Sequence, residues 1–243
     1  MNNIVIVTGG SRGIGAATSL LLARQGYKVC INYRSQSEQA EALVADIVAM
    51  SGEAISCQAD VAQEADVIRL FDQTETQLGA VTHLVNNAGI LFRQSRVQDL
   101  DVARIQQVLM TNVVGCFLCC REAVRRMTNG GAIVNVSSVA SRTGSPNEYV
   151  DYAASKGAVD TLTTGLSLEV ADQNIRVNGV RPGLIYTDIH ADGGEPGRVD
   201  RLAPMIPMKR GGTPEEVANA IAWLLSDEAS YATGTFIDLA GGR

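Results

Sequence analysis

The 243-residue sequence predicts an α/β protein: a doubly wound parallel sheet of about seven strands, helices on both faces, and one domain over 1–243. Three observations predict it. Short β-branched runs alternate with amphipathic helical stretches from the first residues to about position 180. The runs are continuously apolar, as expected when helices cover both faces of a parallel sheet. A glycine-rich turn joins the first run to the first helix, where open α/β sheets bind ligands.

Strands are expected at 4–8, 28–32, 54–58, 82–86, 132–137, 175–180 and 235–239. Between the second and third, Ala40, Leu43, Val44, Ile47 and Val48 follow the spacing of one buried helical face. Ser35-x-x-Glu38 offers a capping box at its start and Gly52 a left-handed stop. Before the last strand, Thr213-Pro214-Glu215-Glu216 is a second capping box with proline at the first helical position. Val217, Ala220, Ile221, Leu224 and Leu225 then share one face. No linker, repeat or low-complexity segment interrupts the pattern.

Composition narrows the function. Hydrophobic residues make up 46% and charged residues 19%, ordinary values for a globular protein. No uninterrupted run of about 18 apolar residues occurs, so no membrane span is expected. The opening residues have no basic flank and read as a strand, not a signal peptide. A net charge of −6 without a basic cluster argues against nucleic acid as partner. The odd count of five cysteines points to reduced thiols and a cytoplasmic location. Cys116-x-x-Cys119 lies in an apolar helical stretch, and the chain has only two histidines. Small buried core residues are the better reading than a redox or metal pair, and no metal is expected.

The chemistry concentrates at the strand ends. In Gly9-Gly10-Ser11-Arg12-Gly13-Ile14-Gly15 the glycines let the backbone bend and approach a pyrophosphate without a Cβ clash. Tyr152 and Lys156 are an i, i+4 pair on one helical face. A phenol is a poor base at neutral pH, and a neighbouring ammonium is expected to lower its pKa toward the working range. Tyr149, just upstream, has Ala153 where the lysine would stand, so Tyr152 is the better candidate. Ser137 and Ser138 end the fifth strand, with Ser137 directed to the other side if the strand alternates. Asn112 is a poor mid-helix residue, because its side chain competes for backbone hydrogen bonds.

Together the Gly9/Gly13 spacing, Asn86-Asn87-Ala88-Gly89 and Tyr152-Ala153-Ala154-Ser155-Lys156 resemble the single-domain short-chain dehydrogenase/reductase family. The likeness runs from Thr8 to Gly242 and is nearest to bacterial 3-oxoacyl reductases and sugar dehydrogenases. It implies a Rossmann-type fold and hydride transfer between a nicotinamide and a small carbonyl or secondary alcohol. By the resemblance Asn112, Ser138, Tyr152 and Lys156 are catalytic: Ser138 polarises the carbonyl, Lys156 also binds the nicotinamide ribose, and Asn112 breaks a helix and holds a relay water. Cofactor contacts are implied for Gly9, Ser11, Arg12, Gly13, Ile14, Gly15, Asn87, Ala88, Gly89, Pro182, Gly183, Ile185 and Thr187. Asp60 and Val61 match the family's adenine contact, although Asp60 fits an N-cap equally well.

Tyr33 stands where relatives that use NAD carry Asp. Without that carboxylate, Arg34, Arg12 and the Ser35 hydroxyl can hold a 2′-phosphate, which favours NADP(H) over NAD(H). Thr82 replaces an Asp of many relatives and is expected to affect sheet stability more than catalysis. The loop-like segment 188–212 reads as a substrate lid, with His190 as an exposed loop residue. Relatives pair the helices holding Asn112 and Tyr152 between subunits, which implies a dimer or tetramer. An NAD(H)-preferring sugar or alcohol dehydrogenase is the alternative. A non-catalytic NADP-binding regulator fits less well because all four catalytic residues are present. A nucleotide-sugar epimerase or dehydratase is disfavoured by the chain length and glycine spacing.

Overall fold

Apolar runs too short to be helices pair side by side in the computed structural model, which describes residues 3–243. They form β1 (Ile4–Val7), β2 (Lys28–Tyr33), β3 (Ala54–Gln58), β4 (His83–Asn86), β5 (Gly131–Val136), β6 (Ile175–Pro182) and β7 (Phe236–Leu239). The sheet order is β3-β2-β1-β4-β5-β6-β7. Every pairing is parallel. The fold is therefore the Rossmann-type doubly wound sheet. β1 pairs with both β2 and β4, so the chain reverses direction of travel between β1 and β4. Ligands of such sheets bind outside the strand ends at that switch point.

Helices α1 (Gly13–Arg24), α2 (Ser37–Ala49) and α10 (Pro214–Leu225) cover one face; α3 (Glu64–Leu78), α4 (Val102–Leu109), α5 (Gly115–Arg126) and α7 (Val150–Glu169) cover the other. Shorter helices α6 (Ala140–Thr143), α8 (Ile189–Asp192) and α9 (Arg198–Leu202) lie around the strand ends. Two cores result, one on each face, meeting only through the sheet. One holds Ile6, Leu70, Phe71, Leu84, Cys116 and Ile133; the other Val5, Leu22, Ile31, Ile47, Ile221 and Leu224. All five cysteines are free and buried.

Local expectations fare unequally. The Thr213 box forms: its hydroxyl accepts from Glu216 N at 3.3 Å, and Glu216 accepts from Thr213 N at 2.9 Å. The Ser35–Glu38 box does not, because α2 begins at Ser37 with Gln36 as an N-cap that makes no side-chain bond. The left-handed stop falls on Ser51 (φ 63°), not Gly52. Gly52 is needed for space, since a Cβ there would stand 2.7 Å from Ile47 Cγ2. Val48, expected inside, is 56% exposed because the buried stripe of α2 is only Ala40 and Ile47, flanked by Leu43 and Val44. The helical stretch Val102–Arg126 is long and apolar enough to cross a membrane by length and composition alone, unlike the expectation. Its inner side (Val108, Asn112, Cys116, Cys119, Cys120 and Ala123) is buried in the core.

Candidate active site

The end of β1 meets the end of β4 through short, partly buried contacts. The Thr8 hydroxyl accepts from Asn87 N and Ala88 N, each at 3.0 Å. Asn87 Nδ2 donates to the carbonyls of Thr8 and Gly9, again at 3.0 Å. Gly9 (φ 59°) and Gly13 (φ 52°) take left-handed conformations that other residues rarely adopt. Gly15 is required by proximity: a Cβ would stand 2.3 Å from the Gly9 oxygen and 2.6 Å from Asn87 Nδ2. Arg12 at the α1 N-cap makes no capping bond and no acidic residue occupies the first turn, so N–H groups and a positive dipole end face the cleft. A nicotinamide dinucleotide fits this donor set.

The cleft measures about 220 Å³ and collects Gly9, Ser11, Arg12, Gly13, Ile14, Asn87, Ala88 and Gly89 around the turn. Tyr33, Arg34, Ser35, Asp60 and Val61 form its far end, and Thr187 borders it. Arg34 and Ser35 are exposed there. Asp60 is not an N-cap; its carboxylate accepts from Ala62 N at 3.0 Å, and α3 starts after Gln63.

A second cavity of about 510 Å³ adjoins the first, sharing Ile14, Asn87, Gly89, Thr187 and Ile189. Ser138, Tyr152, Lys156, Pro182, Gly183 and Ile185 line it. The Ser138 hydroxyl accepts from Ala140 N at 3.1 Å and lies 3.4 Å from the Pro182 carbonyl. Ser137 points away, donating to the Lys156 carbonyl at 3.2 Å. Burial pushes the Tyr152 phenol up to about 12, opposed by its hydrogen bond with Ser138. The expected lowering by Lys156 is therefore not found. The Lys156 ammonium lies 5.6 Å from the Tyr152 ring centre and donates to the Val136 carbonyl at 2.7 Å. Burial also brings Lys156 down to about 8, with Cys116 and Asp160 opposing.

Asn112 sits in a π-turn, Met110–Val114, between α4 and α5, and is 2% exposed. Its oxygen accepts from Ile90 N at 2.8 Å; its amide donates to Ile90 O at 2.9 Å and Ser155 Oγ at 3.0 Å. A Cβ on Gly89 would stand 3.5 Å from both Asn112 Oδ1 and Lys156 Nζ, so these two polar atoms converge on one point. Asn112 is thus behind the main cavity, facing a small one that Lys156 also lines.

Segment 188–212 is not irregular throughout: it contains α8, α9 and a further turn, Ala203–Met205. Ion pairs hold it down. Arg198 bridges Glu148 and Glu195, Arg201 joins Glu195, and Gln94 donates to Glu195 at 2.6 Å. The Arg201 guanidinium, with Arg198 and Gln94, holds the Glu195 carboxyl down at about 2. Across the cofactor cleft, Arg12 pairs with Asp192 at 2.6 Å. His190 is half-buried with Nε2 3.0 Å from the Ile185 carbonyl, so it is a cavity-lining residue and not a free loop histidine. Burial lowers its pKa.

The family profile described as Enoyl-(Acyl carrier protein) reductase matches residues 9–243. The chain belongs to the short-chain dehydrogenase/reductase family. It is 62% identical to the uncharacterized oxidoreductase YgfF of Escherichia coli, over 99% of both chains. It is 37% identical to the 3-oxoacyl-[acyl-carrier-protein] reductase FabG of Staphylococcus epidermidis, covering 100% of this chain and 99% of that one. It is 41% identical to 3beta-hydroxysteroid dehydrogenase 1 of Eggerthella lenta, over 98% and 92%. A dehydrogenase/reductase from Sinorhizobium meliloti superposes with a TM-score of 0.93 at 31% identity, covering 99% and 94%. Membership makes this chain an oxidoreductase of CH–OH and C=O groups with a nicotinamide cofactor and a small-molecule substrate.

The site uses residues that the sequence pattern did not disclose. Thr8 organises Asn87 and Ala88, and Asn32, 2% exposed, accepts from Gly9 N at 3.2 Å while donating to Ala59 O at 3.0 Å. A polar residue inside an apolar strand was the available signal. Asp192 carried no signal, since its partner Arg12 is 180 residues away. No group of three or more His, Cys, Asp or Glu among the described residues is placed to hold a metal.

Proposed function

We propose that this chain, read as one domain over 1–243, is an NADP(H)-dependent oxidoreductase in which Tyr152 gives its proton to a carbonyl or takes it from an alcohol. The observation carrying this reading is the meeting of Ser138, Tyr152 and Lys156 on the cavity that opens into the dinucleotide cleft. When bound, the nicotinamide supplies the hydride. The protein must then deliver one proton to the oxygen. A phenol near 12 is fully protonated at neutral pH, which suits it as the acid for reduction. Ser138 supports the same oxygen, and the buried Lys156 supplies positive charge next to Tyr152. Asn112 supports the path by which Lys156 is reprotonated.

For the cofactor, Arg34, Ser35 and Arg12 line the far part of the cleft and would hold a 2′-phosphate there, and the strand-end side chain beside them is Tyr33, not a carboxylate. Ile185 and Thr187 line the second cavity, where they would border the nicotinamide, and Gly13 packs against Thr187. Exposed Val102, Leu109, Met110 and Phe117 on α4, the π-turn and α5 support pairing of subunits through these helices. Five free thiols support a reducing, cytoplasmic setting. A ketone panel followed at 340 nm tests the reading. Reduction with NADPH is expected at about tenfold or higher kcat/KM than with NADH. Equal or better use of NADH overturns the cofactor assignment.

A further inference from the structure

Tyr152, Lys156 and Asp160 stand at successive turns of α7, on one side of the helix. Lys156 is buried, and the acceptor it reaches is neutral, the Val136 carbonyl at 2.7 Å. A buried ammonium with no carboxylate in contact loses its proton more easily, and burial does bring Lys156 down to about 8. Asp160, one turn further on, opposes that fall. The other groups around the ammonium are Tyr152 on α7 and the Cys116 thiol from α5. Across the cavity stand Glu148, His190, Arg198, Arg201 and Arg243, and Glu148 is committed to Arg198. Among the described residues, the carboxylate that acts on Lys156 is therefore Asp160.

Its surroundings suit that use. Oδ2 accepts from Arg181 Nε on β6 at 2.9 Å, with both side chains largely buried. Oδ1 is buried and has no hydrogen-bond partner. A contact that only tied α7 to β6 would not need a carboxylate left half satisfied, which is costly to bury. Arg181 is in turn drawn toward Asp238 at 3.4 Å and lies 3.8 Å from the Phe236 ring centre. Asp160 is thus shared by two cations, Arg181 from the sheet and Lys156 along the helix.

We propose that Asp160 is a positioning residue of the reaction: its carboxylate keeps the Lys156 ammonium charged beside Tyr152, and Arg181 competes for that carboxylate. This rests on the reading of Lys156 as the positive charge that serves Tyr152.

Lys28, Lys156 and Lys209 are the chain's lysines, so protein grown on lysine labelled with carbon-13 at Cε gives a spectrum simple enough to titrate. Lys28→Arg and Lys209→Arg assign their own signals and leave that of Lys156. In the cofactor-free protein, Asp160→Asn is expected to move the Lys156 midpoint about one pH unit toward acid, and Arg181→Gln to move it toward alkali. Asp160→Glu, which keeps the charge, should stay near the wild type. The alkaline limb of kcat/KM for ketone reduction at saturating NADPH should follow. Asp160→Asn then loses about tenfold above the limb and less than about twofold below it. If Asp160→Asn does not fold, Arg181→Gln carries the test alone. A role confined to tying α7 to β6 would lower the melting temperature of both variants and leave the Lys156 midpoint in place, which overturns the proposal. Shifts of the same sign in both variants overturn it too. A midpoint that moves while the kcat/KM limb stays fixed would keep the coupling and overturn the reading of Lys156 as part of the reaction.

Discussion

The cofactor end of the cleft is held by backbone and by short side chains, buried or half-buried: Gly15 against the Gly9 carbonyl, Asn87 on Thr8 and Gly9, and Asn32 on Gly9 and Ala59. The other end is held by side chains that tie segment 188–212 to the rest of the chain, Arg198 to Glu148, Gln94 to Glu195 and Asp192 to Arg12. Backbone contacts tolerate almost no change in shape, because a displaced carbonyl cannot turn aside. Ion pairs between partly exposed side chains are each worth little and can be exchanged. The contrast fits one division of labour: a common nicotinamide chemistry built once into the sheet, and a substrate end open to variation.

The largest effect should come from breaking the rigid end. Gly15→Ala places a methyl against two backbone groups and Asn87, and is expected to weaken NADPH binding about a hundredfold or more in a fluorescence titration. Binding within threefold of wild type would show that the turn is softer than described.

Acid should act on the scaffold away from either end. His83, at the start of β4 and packed edge-on against Tyr27 at 5.1 Å, is held neutral by burial, its pKa brought down to about 4. In the unfolded chain the same imidazole titrates near 6.5, so below that pH the unfolded state binds the extra proton. Stability from this group is complete above pH 6.5 and is lost as the pH falls toward 4, by about 3 kcal/mol in all. Denaturant melts between pH 7 and 4 should show this slope, and a His83→Gln variant should flatten it. Thr82, whose hydroxyl accepts from Ile4 N at 2.9 Å and stands 2.8 Å from His83 Nδ1, lies beside this histidine.

Within the cofactor cleft, Arg34→Ala should raise the Kd of NADPH about tenfold and leave that of NADH unchanged, since only the 2′-phosphate loses a charged donor. Equal losses for both cofactors would contradict the assignment. The smallest change tests the flexible end. Arg12 and Asp192 are 39% and 46% exposed in their pair, so Asp192→Asn should cost little stability. By freeing Arg12 it should tighten NADPH about two- to fivefold, without a matching gain for NADH. Weaker binding of both would mean that the pair clamps the cofactor.

Legibility followed the same contrast. Strand positions and the glycine turn rest on local runs and spacing, so Gly9, Gly13 and Gly15 and the Tyr152–Lys156 pair could be placed from residues alone. Asn112 was marked by its poor fit to a helix, and the π-turn explains it. The helices inside segment 188–212 were illegible because they are short turns held by Glu148, Gln94 and Arg12, residues far away in sequence. The protonation of Tyr152 was misjudged for a physical reason: the lysine that a helical wheel places one turn away is tied to Val136, and burial dominates.

The central claim is that the Tyr152 hydroxyl supplies the proton. Single-turnover oxidation of NADPH by Tyr152→Phe, with a ketone that the wild type reduces, tests it most directly. The rate should fall about a thousandfold while the Kd of NADPH stays within about twofold, because the proton donor is lost and the cofactor cradle is not. A rate within tenfold of wild type would assign the proton to another group.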